Sequence, residues 1–380
     1  RRITIALTIL TGKPRKAIRI AAIAVFFYPI LYPISAMTSF ALCSRSVYQQ
    51  STLNDWFFAY PFWIGIVISA QLAMGLILID LLLVSVRVLY KKGASRLVRV
   101  HAVLTVAIAG VLTLYSAGRI YADTWTVRSW HKTVYINDLP ENLNGLRIVQ
   151  ITDLHADPRT EGRKLQAYID RANSLNPDLI VFCGDLVSSG TSYIQVGAAA
   201  LGKLRARYGV FACLGDHDFF SDPQAVTRSL NDQGITVLRD AMQTVQIGAS
   251  TISLTGLTNV YRSPARPDTV ALLTGSRPHT SLDIFFTHQP SNWLVPIIAA
   301  AGYDLMLAGH THGGQIAFPF PGFILTGSSF ETHYVTGFFD EGKMPLSICN
   351  GLGETLAPIR YQAPAEVTLI EIKGAQKSTS

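Results

Sequence analysis

The chain has 380 residues, of which 49% are apolar and only 15% charged. A soluble domain of average make-up carries about 25% charged residues, so part of this chain is expected to lie in a membrane. The net charge of +7 is unevenly held: residues 1–125 contain 13 Lys and Arg against 3 Asp and Glu, and the remainder is net negative. A nucleic-acid-binding protein would carry its positive charge on the polar, folded part, so no nucleic-acid partner is expected. Four cysteines without paired spacing argue against a disulfide scaffold or a zinc ribbon.

Three stretches are long and apolar enough to span a bilayer: residues 20–44, 58–86 and 100–122. A cleaved signal peptide has one short apolar core, which does not fit this pattern. Residues 3–10 are also apolar, as the tail of a further span or an apolar N-terminal tail would be. Basic residues alternate between the loops. Arg1, Arg2, Lys13, Arg15, Lys16 and Arg19 precede the first span, and Arg87, Lys91, Lys92, Arg96 and Arg99 follow the second. Because basic loops stay in the cytosol, the expected protein is a multi-pass inner-membrane protein with everything after the third span outside the cytoplasm. Trp56, Phe57, Phe58, Tyr60 and Trp63 mark an interfacial belt. Pro29 and Pro33 are expected to kink the first span. Asp80 is the one acid inside a span; it reads as an acid reaching water or a basic neighbour such as Arg87 rather than as a relay, which would need a second titratable group.

Past residue 123 the pattern becomes α/β. Apolar runs at 146–151, 178–182, 210–214, 283–286 and 304–307 read as strands, with a helix at 163–173 and another opened by Ser221 as N-cap and Pro223 in its first turn. Each run ends, within about three residues, in a potential metal ligand. The first three ends carry Asp153 with His155, Asp185, and Asp216 with His217. The last two carry His288, and His310 with His312. In open α/β sheets such ends converge, so carboxylates and imidazoles meet without protein cations to balance them. The donor count exceeds one zinc site, and mixed oxygen and nitrogen ligands suit manganese, iron or zinc. Two divalent ions about 4 Å apart would clamp the oxygens of an in-line displacement at phosphorus. Gly184, Gly215 and Gly309 precede ligands and are expected to let the backbone turn sharply. Cys183 and Cys213 read as small buried strand residues.

The ordered set Asp153-Leu-His155, Gly184-Asp185, Gly215-Asp216-His217-Asp218, His288 and Gly309-His310-Thr311-His312 resembles the calcineurin-like metallophosphoesterases, and the whole chain resembles their membrane-anchored, transmembrane branch. The resemblance implies N-terminal transmembrane helices over 1–122, a four-layer αββα metallophosphoesterase sandwich over 124–372 and a polar tail at 373–380. It implies one metal on Asp153, His155 and His312, a second on Asp216, His288 and His310, and Asp185 between them. A bridging hydroxide would be the nucleophile, with His217 beside the leaving-group oxygen and Asp218 orienting His217. The family usually has Asn where this chain has Asp216, an extra negative charge expected to tighten metal binding and weaken Lewis acidity.

The implied activity is hydrolysis of a phosphate mono- or diester, manganese being the favoured metal and iron or zinc the others. The apolar third adds the bilayer as a partner and makes an amphiphilic substrate the expectation. Arg159, Arg262 and Arg266, in the loops 157–162 and 259–268, are candidates to hold a phosphate, and 318–331 is a third specificity loop. Exposed arginines are more often simply solvated. The competing reading is a metal-binding membrane scaffold or sensor without turnover. It predicts loss of His217 or of Asp185, and both are present.

Overall fold

The computed structural model describes residues 2–34, 52–89 and 94–375. They group into two units, one of residues 1–122 with 357–361, the other of 123–356 with 362–380.

The first unit is helical: α1 (Arg2–Thr11), α2 (Arg15–Phe27), α3 (Tyr60–Leu89) and α4 (Ala94–Trp125). A π-helical turn, Asp55–Ala59, leads into α3. Two stretches, Asp55–Leu81 and Val98–Trp125, are long and apolar enough to cross a membrane. Only 11% and 17% of their most apolar windows are buried within the protein, and Ile77, Leu78, Val111 and Leu114 stand exposed. A helix that is apolar all round and has no protein around it needs lipid. The chain therefore associates with a membrane. Of the expected first span, α2 and the 3-10 turn Tyr28–Ile30 are seen, the turn falling at Pro29, whose ring supplies no N–H to the ladder. Residues 35–51 lie outside the described part. Asp80 pairs with Arg2, and its other oxygen is 3.3 Å from His101 Nε2. Its basic neighbour is thus Arg2; the side chain of Arg87 is outside the described part.

The second unit holds two six-stranded sheets. The first runs β1 (Arg128–Ile136), β14 (Glu366–Gly374), β2 (Leu146–Ile151), β3 (Leu179–Phe182), β4 (Val210–Ala212), β5 (Thr236–Val237). The second runs β12 (Gly337–Glu341), β13 (Met344–Ile348), β9 (Leu305–Ala308), β8 (Leu282–Thr287), β7 (Ser250–Leu257), β6 (Ala241–Ile247). Strands β2 to β5 are parallel, as are β7, β8, β9 and β13; β14 runs antiparallel to β2. The central strands are rich in apolar residues because both of their faces are covered. One apolar cluster lies between the sheets and includes Ile148, Val181, Leu254, Ile284, Phe286 and Leu307. A second joins the first sheet to α5 (Arg163–Ser174), α6 (Ile194–Leu201) and α8 (Pro223–Asp232). A third joins the second sheet to α9 (Pro267–Gly275) and α10 (Leu294–Ala300).

Phe286 is fully buried in the cluster between the sheets, so Phe286→Ala is expected to cost about 3–5 kcal/mol. A lowered Tm of the purified chain in detergent checks this.

Two local readings need correction. Residues Asp216–Ser221 are already helical (α7), so Ser221 cannot cap the next helix. Asp222 is the N-cap of α8, its carboxylate accepting the Ala225 N–H at 2.8 Å, with Pro223 at the first helical position. The polar tail begins later than expected, because β14 continues through Lys373 to Gly374; residues 376–380 lie outside the described part.

Candidate metal centre

The carboxyl ends of β2, β3 and β4 in one sheet, and of β8 and β9 in the other, deliver the polar residues to one edge of the sandwich. Donor atoms of Asp153, His155 and His312 lie within 4.8 Å of one another, as do those of Asp216, His288 and His310. Two further groups, Asp153 with Asp185 and His288, and His155 with Asp185 and His217, tie these together. Asp185 Oδ2 is 3.6 Å from His155 Nε2 and 3.4 Å from His288 Nε2, so one oxygen sits midway between the two sets. His312 Nε2 is 3.3 Å from Asp153 Oδ1 and 3.1 Å from His155 Nε2. His288 Nε2 and His310 Nδ1 approach Asp216 Oδ2 at 3.4 and 3.0 Å.

The local backbone is strained. Asp153, His155, Asp185, His310 and His312 all have positive φ, between 47° and 71°. Residues with a Cβ seldom adopt this conformation, and it persists only where the surroundings dictate it. Gly184 has φ +95° and makes the turn expected of it, and a Cβ there would also collide with the Gly215 backbone. Gly215 is extended, with φ −104° and ψ −176°. It and Gly309 are needed for close approach: a Cβ on Gly215 would collide with Asp185, and one on Gly309 with Thr152 and Asp153. Gly309→Ala is therefore expected to displace Asp153. The Mn2+-dependent rise in Tm should shrink, which thermal denaturation with and without the ion measures.

Hydrogen bonds fix which atom of His288 and of His310 faces the cluster. His288 Nδ1 donates to the Cys183 carbonyl at 2.7 Å, leaving Nε2 for a ligand. His310 is reversed, Nε2 facing Glu331 Oε1 at 3.1 Å and Nδ1 facing inward. Asp153 Oδ2 accepts the His310 N–H at 3.1 Å while Oδ1 points into the cluster. Asp216 Oδ1 accepts the Tyr261 N–H at 2.6 Å and Oδ2 accepts from Gln289 Nε2 at 2.8 Å. A carboxylate satisfies both donors, whereas an Asn at 216 would turn its own N–H against one of them.

The electrostatics are those of an acid cluster balanced by imidazoles. Burial alone would raise the Asp153 carboxyl, but His312 and then His288 hold it well below the usual carboxylate range. Asp185 falls to about 2, its burial outweighed by His288. Asp216 is also depressed, burial being overcome by His288 and His310. Burial works against charge on His310, yet Asp216 and Glu331 raise it to about 9. His155 goes the other way, pushed down by burial and then by His217. Divalent cations would take over the balancing role of the imidazole protons. The residues fit such ions. Asp153 Oδ1 and His288 Nε2 are buried and make no hydrogen bond, although each belongs to a donor group, and orphaned buried polar atoms are rare in a packed interior.

His217 lies at the edge of this cluster. Its Nδ1 bonds the Ser188 carbonyl, its ring meets the His155 ring edge-on at 4.7 Å, and its Nε2 is 3.5 Å from Thr355 Oγ1. Asp218 does not orient it. The Asp218 carboxylate accepts the N–H groups of Asp185 (3.0 Å), Gly215 (2.9 Å) and Leu186 (2.9 Å), because it opens α7 directly beneath the β3 end. It therefore fixes the two ligand loops to each other, and Ser188 does the orienting. Neither Ser188 nor the 350–353 segment, whose Gly353 N–H donates to the Asp153 carbonyl at 2.7 Å, stood out in the sequence. The second had a signal, a Gly-x-Gly following the β13 run.

The arginines are not brought together. Arg266 is paired to Asp268 through two contacts of 2.6 and 3.1 Å at an exposed helix start, so its charge is already matched. Arg159 is half-buried, its N–H donating to Asp157. Arg262 stacks at 5.0 Å over Phe220, whose ring is 5.9 Å from that of His217, which puts it on the rim.

Two sheets presenting a linked set of potential metal donors have the arrangement of a metallophosphoesterase-type centre. Residues 146–314 match the calcineurin-like phosphoesterase family. The chain is 31% identical over 275 residues to the uncharacterized metallophosphoesterase YkuE of Bacillus subtilis, covering 70% of this chain and 93% of that protein. It is 30% identical over 250 residues to the zebrafish (Danio rerio) transmembrane protein with metallophosphoesterase domain, and 30% identical over 287 to the bovine (Bos taurus) one. These alignments cover 63% and 72% of this chain but only 56% and 62% of the vertebrate proteins. The chain belongs to the calcineurin-like metallophosphoesterases.

Proposed function

We propose that the chain is a membrane-anchored phosphoesterase that hydrolyses phosphate mono- or diesters with two divalent metal ions. The observation that carries this reading is the position of Asp185 Oδ2 between His155 and His288, which joins two three-residue donor sets into one centre. Asp153, His155 and His312 would hold one ion, Asp216, His288 and His310 the other, and Asp185 both. When bound, such ions supply Lewis acidity toward phosphoryl oxygens and lower the pKa of water. Manganese is the metal we favour, iron and zinc being the alternatives that the same donors accept.

The chain's own residues do the rest. With Nδ1–H of His217 held by the Ser188 carbonyl, the mobile proton of this residue is on Nε2, which lies 3.5 Å from Thr355 Oγ1 at the edge of the cluster. A protonated His217 donates it to the departing ester oxygen. Asp218 keeps Asp185 and Gly215 in register. Arg262, stacked over Phe220 beside His217, is the arginine we favour to meet a phosphate or its substituent. The basic loops orient the chain with this centre outside the cytoplasm, and the apolar helices make an amphiphilic phosphate ester the favoured substrate.

Purified full-length chain, stripped with chelator, should show no hydrolysis of an aryl phosphodiester until Mn2+ is restored. Turnover that survives chelation would refute the reading. A reporter fused after Ser380 tests the orientation separately; activity of a cytosol-only reporter would overturn it.

A further inference from the structure

Between the last metal-donor loop and Glu331 the chain makes an excursion that the centre itself does not use. Strands β10 (Phe318–Phe320) and β11 (Phe323–Leu325) form a two-stranded hairpin paired with neither large sheet. Its sequence, Phe-Pro-Phe-Pro-Gly-Phe-Ile-Leu, has no charged or hydrogen-bonding side chain. Phe320 and Phe323 stack at 4.9 Å with nearly parallel rings, yet Phe323 is 59% and Leu325 45% exposed. Phe330, at 87%, and Leu356, at 74%, stand exposed close to its base. An isolated hairpin is marginal in water, and a group of exposed aromatic and aliphatic residues marks a contact surface.

The base is fastened to the donor loop. Thr326 Oγ1 donates to the Gly314 carbonyl at 2.9 Å, and Ser328 Oγ donates to the Thr311 carbonyl at 3.0 Å. On the other side, Gln315 and Thr355 exchange two hydrogen bonds of 2.7 and 2.8 Å. Whatever the hairpin rests on is thus fixed relative to His310 and His312.

The chain also says what is within reach. Helix α4, which contains the apolar stretch Val98–Trp125, ends two residues before β1 begins at Arg128. With that stretch read as membrane-embedded, so short a link keeps the second unit tethered near the bilayer. The absence of Lys and Arg from the hairpin excludes attraction to anionic headgroups as its means of contact, leaving apolar insertion.

We propose that the Phe318–Leu325 hairpin, with Phe330 and Leu356 beside its base, inserts into the interfacial layer of the membrane that anchors the chain and seats the mouth of the metal centre against the lipid phosphates. This contact stands whether or not the centre turns over; its use in delivering an amphiphilic substrate rests on the proposed function.

The test uses the full-length chain in phosphatidylcholine nanodiscs. An environment-sensitive fluorophore is attached at Phe323→Cys, and in a control protein at Ala249→Cys, an exposed turn at the opposite end of β7. Cys43 is replaced by Ser, and the other native thiols are buried and left in place. Nitroxide carried on lipid chains should quench the probe at 323 about threefold more than that at 249, and aqueous iodide should show the reverse order, both independent of salt. Equal quenching at the two positions overturns the proposal. So does a probe at 323 shielded from both quenchers, which would mean that protein covers it. Phe320→Ser/Phe323→Ser/Leu325→Ser should raise KM for a phosphodiester embedded in vesicles about tenfold more than for a soluble aryl diester, and equal effects on the two substrates count against the proposal. A wild-type chain that is silent on both substrates counts against the catalytic reading, while the quenching result still decides the hairpin.

Discussion

Asp185→Asn is expected to abolish turnover, lowering kcat/KM by about 10³-fold or more, and to reduce tightly held metal from two ions to at most one. The substitution is nearly isosteric, and its retained oxygen can still accept the His217 N–H that Asp185 Oδ1 accepts at 2.8 Å. The change falls on the other atom. Oδ2, which faces His155 and His288 at 3.6 and 3.4 Å, becomes an amide N–H with no lone pair to offer a cation. One negative charge is lost from the middle of the cluster, the place where it serves both donor sets. Steady-state kinetics with elemental analysis of the same preparation measures both effects. Full activity in this variant would remove Asp185 from the role of shared ligand.

His217→Ala should behave differently. General-acid assistance accounts for about 10²–10⁴-fold in rate, and it matters most when the departing oxygen is basic. Alkyl esters should therefore lose most of their turnover, and an activated nitrophenyl ester much less. Metal content should not change. His217 has donor atoms near His155 and Asp185, so a ligand role is the rival, and the metal count separates the two. The bond from Nδ1 to the Ser188 carbonyl is compatible with either role, since His288 makes the same kind of bond to Cys183, so the metal count decides. Equal losses for both leaving groups, with a missing metal ion, would make His217 a ligand.

The parts of the fold that were legible in the sequence are those where burial leaves a one-dimensional trace. Strands β3, β4 and β9 are apolar on both faces, and β2 and β8 are interrupted only by Arg147 and Gln150 in one and Asp283 in the other, so each reads as an apolar run followed within a few residues by an Asp or His. Strand β1 is an edge strand with Trp130 and Tyr135 exposed, and its sequence alternates too irregularly to declare itself. Strand β14 finds its place only by pairing with β1 and β2, more than 200 residues earlier in the chain. The same distinction divides the site. Asp153, His155, Asp185, Asp216, His288, His310 and His312 are visible through residue type and position at strand ends. The roles of Asp218 and Ser188 depend on contacts about 30 residues away in sequence, which no local pattern encodes. The glycines mislead for a related reason. A glycine needed because another segment passes close by, as at Gly309, looks the same in sequence as one needed for a turn.

Anomalous diffraction from the Mn2+-loaded full-length chain addresses the metal pair most directly. Two peaks about 4 Å apart are expected, one among Asp153, His155 and His312, the other among Asp216, His288 and His310, with Asp185 touching both. A single peak, no peak, or ions bound away from these residues would contradict the account.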